Sequence, residues 1–165
     1  MPKVKYTAAQ GLYQTGGIGV VGLRVPVQLC EDQASATTIR VALVADESGK
    51  ILLIPALTSG TQTINLPTPD ANTLGVTYTF ILTGTAGQIF NVYAGGTYKI
   101  VACKPDGAGN NSAIGQAYDN IGFKAAAVIG SQFTVTCVST TAGIAWFASN
   151  VVDGLAANVG SINLS

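Results

Sequence analysis

Apolar and polar positions alternate with a period of two along most of the chain. In VTYTFILTG (76–84), Val76, Tyr78, Phe80 and Leu82 fall on one side and Thr77, Thr79, Ile81 and Thr83 on the other. That is a strand with one buried face and one mostly hydroxyl face. In QFTVTCVS (132–139), Phe133, Val135 and Cys137 share a side, and in IAWFAS (144–149), Trp146 alternates with Ile144 and Ala148. Tyr78, Phe80, Phe133 and Trp146 are therefore predicted to be core anchors, with the indole packed between sheets.

Further β-branched, apolar runs occur at 23–29, 38–45 and 50–57, and DESGK (46–50) between the last two predicts a hairpin. TQTIN (61–65) is a short strand that ends at Pro67 and Pro69, because proline cannot donate to a ladder. TAG (85–87) and GG (95–96) link 76–84, 88–94 and 97–102 into a predicted meander. Residues 104–120 read as a Gly- and Asn-rich loop, and IGFKAAAVI (121–129) fits either a strand or a short helix. Short strands without helix-strand alternation predict an all-β fold: an antiparallel β-sandwich, a jelly roll or a distorted barrel. No repeat at a solenoid or propeller period stands out.

Residues 1–22 are set apart. TAAQGLYQTGGIGVVG (7–22) is rich in Gly and small residues and lacks sustained periodicity, which predicts an extended N-terminal arm ahead of a single β domain over 23–165. Tyr6, Leu12 and Tyr13 are apolar anchors in a segment with no local core, so burial against a partner subunit is expected of them.

Composition narrows the function. Charged residues are 10% of the 165, against about 25% in an ordinary soluble domain, and eight Lys and Arg balance eight Asp and Glu. Neutrality argues against a nucleic-acid partner, whose phosphates are held by Lys and Arg, and against an anionic membrane surface. The longest apolar run, ILLIPAL (51–57), contains Pro55 and is far below the roughly 18 residues that cross a bilayer. MPKVKYTAAQ carries two lysines but no apolar segment after them, so no signal peptide is expected. With 48% hydrophobic residues and little charge, the surface is expected to be covered in a symmetric assembly.

Chemistry is sparsely provided. The chain has no histidine, which excludes Ser-His and Cys-His nucleophile pairs and His-based metal sites. Glu31-Asp32 and Asp46-Glu47 are adjacent acids beside turns, and nothing in the pattern draws Asp70 and Asp119 together across a cleft. GIGVVG (17–22) has dinucleotide-site spacing but leads into a strand rather than a helix, so a flexible arm explains it better. DGAGNN (106–111) lacks the ligand register of a calcium loop. Cys30, Cys103 and Cys137 form no C-x-x-C; reduced thiols are the simpler reading and one disulfide stays open. No enzyme, cofactor or metal is expected.

One resemblance adds to this. Ile64-Asn65-Leu66-Pro67, Gly75, Tyr78-Thr79-Phe80, Gly130-Ser131 and Trp146 stand in an order that resembles structural proteins of viruses, especially tailed phages of aquatic bacteria. It covers about residues 60–150 and rests on small, common motifs. It implies a capsid decoration (cement) protein, a minor capsid component or a fibre-associated module, commonly trimeric. Its partners would then be the major capsid protein and copies of itself. Its place would be the capsid surface of the virion, after synthesis in the host cytoplasm. The alternative is a tail-fibre or receptor-binding module for a host surface glycan, with Trp146 as a candidate stacking platform.

Overall fold

The computed structural model describes residues 3–7, 11–16, 27–30, 37–40, 42–58, 60–85, 87–102, 104–105, 111–112, 117–152 and 162–164. Apart from a 3-10 turn at Ala45–Glu47, the regular structure among them is all β. The strands are β1 (Lys3–Thr7), β2 (Gly11–Gly16), β3 (Val27–Leu29), β4 (Thr37–Arg40), β5 (Lys50–Ile54), β6 (Thr61–Asn65), β7 (Thr77–Leu82) and β8 (Phe90–Tyr93). They continue with β9 (Tyr98–Ala102), β10 (Lys104–Pro105), β11 (Asn111–Ser112), β12 (Ala117–Tyr118), β13 (Asn120–Phe123), β14 (Gln132–Cys137), β15 (Gly143–Val152) and β16 (Ile162–Leu164).

Two large sheets share the core. The seven-stranded sheet runs β12-β9-β15-β14-β7-β5-β3 and the five-stranded sheet runs β16-β13-β8-β6-β4. Between β3 and β8 the chain crosses from one sheet to the other after every strand. The strands that become neighbours are therefore parallel: β3 with β5, β5 with β7, β4 with β6 and β6 with β8. Register neighbours lie first 24 residues apart (Val27 with Ile51, Thr37 with Thr61) and then 28 apart (Ile51 with Thr79, Gln62 with Phe90). This is a short parallel winding. β13 and β14 then close it antiparallel, against β8 and β7 respectively.

This topology corrects four expectations. The sheets are mixed rather than antiparallel, since β15 also runs parallel to β9. The predicted hairpin of 38–45 with 50–57 does not form, because β4 and β5 lie in different sheets. The predicted meander fails for the same reason: β7 and β9 belong to the larger sheet and β8 to the smaller. A winding is present where no repeat was read from the sequence, and its two unequal spacings hide the period. The ambiguous 121–129 segment begins as strand, ending at Phe123, and then turns.

The turn after β6 shows how a crossover is built. Leu66 is buried, and its N–H donates to the Tyr93 carbonyl at 2.9 Å. The Asp70 carboxylate then accepts the N–H groups of Asn72 at 2.8 Å and Thr73 at 3.0 Å. The Thr73 hydroxyl donates to the Asp70 carbonyl at 2.8 Å. Asp and Thr satisfy the turn locally, as short polar side chains do. Gly75, with φ of 83°, takes the left-handed conformation that turns the chain into β7.

Phenylalanines bind the two sheets together. Phe80 and Phe133 are cross-strand partners in one sheet, with ring centroids 5.1 Å apart. Phe90 and Phe123 are partners in the other, at 6.0 Å. Across the sheets, Phe80 meets Phe90 at 6.1 Å and Phe123 meets Phe133 at 5.1 Å, closing a ring of four. Each such pair contributes roughly 0.5–1.5 kcal/mol beyond its buried area. Tyr78, Phe80, Phe133 and Trp146 all lie in this core, fully buried. β13 comes so close to β8 that a Cβ built on Gly122 would lie 1.8 Å from the Phe90 carbonyl oxygen.

Candidate functional site

The seven-stranded sheet carries the site. Its inner face follows from the alternation: Leu52, Phe80 and Phe133 occupy one inward register row, and Tyr78, Val135 and Ala148 another. The residues between them form the outer face, in three rows. The first is Leu29–Leu53–Ile81–Gln132–Val152, the second Val27–Ile51–Thr79–Thr134–Ser149, and the third Thr77–Thr136–Phe147–Val101–Ala117. None of these positions carries a charge.

The face has two chemistries. At the β3 end, Val27, Leu29, Ile51, Leu53 and Ile81 make an aliphatic patch. Val27 is 59% and Leu29 62% exposed, although an isolated leucine of this size loses about 1.5–3 kcal/mol by staying in water instead of being buried. In the middle lie Thr77, Thr79, Thr134, Thr136 and Ser149, and the Thr79 and Thr134 hydroxyls hydrogen-bond across strands at 3.0 Å. Such pairs satisfy themselves without a charge and can be covered at small cost. Phe147 and Val152 add exposed apolar surface at the far end.

Two ion pairs flank it, one of them on β9, where Lys99 alternates with Val101. The Lys50 ammonium pairs with the Glu47 carboxylate, and the Lys99 ammonium with that of Asp119. The hydrogen bond from Lys50 holds the Glu47 carboxyl below its ordinary range. The Tyr78 hydroxyl donates to the Val44 carbonyl at 2.7 Å, and burial raises its pKa well above the usual phenol value. Burial likewise raises the Cys137 thiol. Asp70 serves its turn and Asp119 its ion pair, so neither is presented as a free acid. Glu31 and Asp32 lie outside the described residues, as do 17–22 and 106–110. Among the described residues no group of three or more His, Cys, Asp and Glu could hold a metal ion, and no helix is long and apolar enough to cross a membrane.

The N-terminal anchors are arranged by a hairpin. Within the stretch expected to be an arm, β1 and β2 pair antiparallel and form a two-stranded sheet among the described strands. Tyr6 is opposite Leu12, Val4 opposite Gln14, and Lys5 opposite Tyr13. Partners in an antiparallel register share a face. Positions 4, 6, 12 and 14 therefore share one face, and positions 5 and 13 the other.

Trp146 is not a stacking platform for a glycan. Its ring is fully buried, 6.4 Å from that of Tyr78, and among the described residues no acceptor meets its Nε1–H. The aromatic ring on the outer face is its neighbour Phe147. Sequence reasoning also missed the aliphatic patch. Its signal is ILLI (51–54): four consecutive apolar residues in one strand place apolar side chains on both faces.

No protein-family model matches the chain, and no curated protein matches it.

Proposed function

We propose that this chain is a structural protein of a virus particle, a capsid decoration protein that stabilises the head by bridging capsid subunits. In this reading it binds the major capsid protein and copies of itself, as a trimer on the virion surface, and performs no catalysis. The observation that carries the proposal is the outer face of the seven-stranded sheet, uncharged across β3, β5, β7, β14 and β15. Its aliphatic end gives a partner hydrophobic area, and in its hydroxyl centre the Thr79–Thr134 pair, hydrogen-bonded across strands, can be covered at small cost. The finer fold reading is a two-sheet sandwich with an N-terminal arm that ends in the β1–β2 hairpin. The shared phenylalanine ring supports the sandwich. The order of motifs from Ile64 to Trp146, which resembles phage structural proteins, supports the setting.

A second reading, a fibre or receptor-binding module for a host glycan, draws on Phe147, an aromatic ring flanked by Thr136 and Val101 on an accessible face. Quantitative mass spectrometry of the purified particle, with a cryo-EM map, separates the two. Stoichiometry comparable to the shell protein supports decoration, whereas tail stoichiometry and glycan binding lost on Phe147→Ala support the second reading. Light scattering on the purified chain gives a direct check, and a monomer at micromolar concentration overturns self-assembly.

A further inference from the structure

The winding has an open end. Its first coil is β3 and β4, and each is the last strand of its sheet among the described strands. Such strands present unpaired N–H and C=O groups, and the end of a winding needs a cap. The step of the winding points to one. Counting back the 24 residues that relate β5 to β3 and β6 to β4 takes 27–29 to 3–5, inside β1, and 37–40 to 13–16, inside β2. We infer that residues 3–16 form a further coil of the winding in the same chain, with 3–5 parallel to β3 and 13–16 parallel to β4, and that the β1–β2 hairpin is the alternative state of this segment.

The register of the existing coils carries over to the new one. In β5, Leu52 and Ile54 hold the inward places and Ile51 and Leu53 the outward ones. By the same step Val4 follows Gln28 and Leu52, and Tyr6 follows Cys30 and Ile54. Cys30 is buried and its N–H donates to the Leu53 carbonyl at 2.8 Å, so it continues the register of β3. Both inward places of the new strand thus fall to apolar residues. Lys3 and Lys5 fall at outward places, where a charge stays in water. In the other sheet Gln14 follows Thr38 and Gln62, and Gln62 is itself buried.

The connections match those already in use, which is why the occupant is the same chain. Residues 6–12 would join the two new strands as 30–36 join β3 to β4, and 17–26 would lead into Val27 as 41–50 lead into Ile51. An isolated two-stranded hairpin is marginal in water. The coil exchanges its single ladder for two, along the three residues of β3 and the four of β4. It also covers edges on which a foreign strand could otherwise add. The two states therefore set whether this end of the molecule accepts another chain: the hairpin leaves it open, and the coil closes it.

The test is NOE spectroscopy on the full chain, with protein labelled in carbon and nitrogen mixed with unlabelled protein, so that isotope filtering separates contacts within a chain from contacts between chains. The expected result is interstrand NOEs within one chain, from 3–5 to 27–29 and from 13–16 to 37–40. The hairpin instead joins Val4 to Gln14 and Tyr6 to Leu12. The two sets exclude each other in one molecule, because the coil puts positions 4 and 14 in different sheets. Both sets together report exchange between the two states and support the inference. Val4→Asp places a carboxylate at an inward place of the coil and should shift the population toward the hairpin by about tenfold or more. Hairpin NOEs alone overturn the inference, as do coil NOEs found only between chains. So do coil NOEs that keep their full strength in Val4→Asp.

Discussion

Leu52 and Leu53 are neighbours in β5 that should fail in different ways when cut back, and Leu29 should behave like Leu53. Leu52 is 2% exposed and shares its inward row with Phe80 and Phe133. Leu52→Ala removes buried methyl groups and leaves a cavity, which costs about 2–5 kcal/mol. Against a typical domain stability of about 5–15 kcal/mol, the chain should unfold at markedly lower denaturant. Leu29 is 62% exposed and belongs to the outer row. Leu29→Ser should change the stability of the isolated subunit by no more than about 0.5 kcal/mol. In the assembly, most of the worth of a buried leucine, about 1–2 kcal/mol once the exposed fraction is applied, is still to be gained. Losing it weakens association by roughly 5- to 30-fold per contact. Chemical denaturation at low protein concentration measures the first effect, and light scattering across a dilution series measures the second. If Leu29→Ser unfolds the subunit as Leu52→Ala does, the assignment of faces is wrong. If it leaves the dilution curve unchanged, the patch is not an interface.

Other consequences are open to measurement. Gly122→Ala puts a methyl group 1.8 Å from the Phe90 carbonyl oxygen and 2.9 Å from the Asn91 Cα, so β13 and β8 must part. The loss should reach or exceed about 1–3 kcal/mol in a denaturant titration, and an unchanged midpoint would sink the packing argument. Because its folded pKa lies below the unfolded value, Glu47 adds stability that is complete above the ordinary carboxylate range. That part is lost as the pH falls from about 4.3 through the lowered folded value. Unfolding followed from pH 7 to 3 should show this acid-side loss, and Glu47→Gln should reduce it. Burial raises the Cys137 thiol, so a thiol reagent at neutral pH should leave its peptide unmodified until the chain unfolds; fast labelling of native protein would contradict this.

Face assignment was legible in the sequence where alternation was clean. Tyr78, Phe80 and Leu82 are buried with Thr77, Thr79 and Ile81 turned outward, and Phe133, Val135 and Cys137 are buried in the partner strand. Strand neighbours were not legible. Period two tells a strand which side is wet but carries no information on which strand lies beside it. The turn DESGK serves a crossover between sheets as well as it would serve a hairpin. The winding was hidden because the residues it stacks, Val27, Ile51 and Thr79, share a position in space but neither a side chain nor an even spacing. The patch was half visible. ILLI (51–54) announced two apolar faces, but only the parallel placement of β3 beside β5 adds Val27 and Leu29. The pairing of β1 with β2 leaves little trace in composition, because Gly and Thr interrupt the pattern.

The parallel winding also governs how the chain comes together and apart. β3 pairs with β5, synthesised 24 residues later, and the second edge of β7 waits for β14, at a separation that takes Phe80 to Phe133. Few of these pairings are local, so early ordering is unfavourable and maturation is slow. The reverse also holds for β5, β6, β7 and β8: each has a strand on both sides and cannot peel away without disturbing both. A subunit made this way trades rapid folding for persistence once formed.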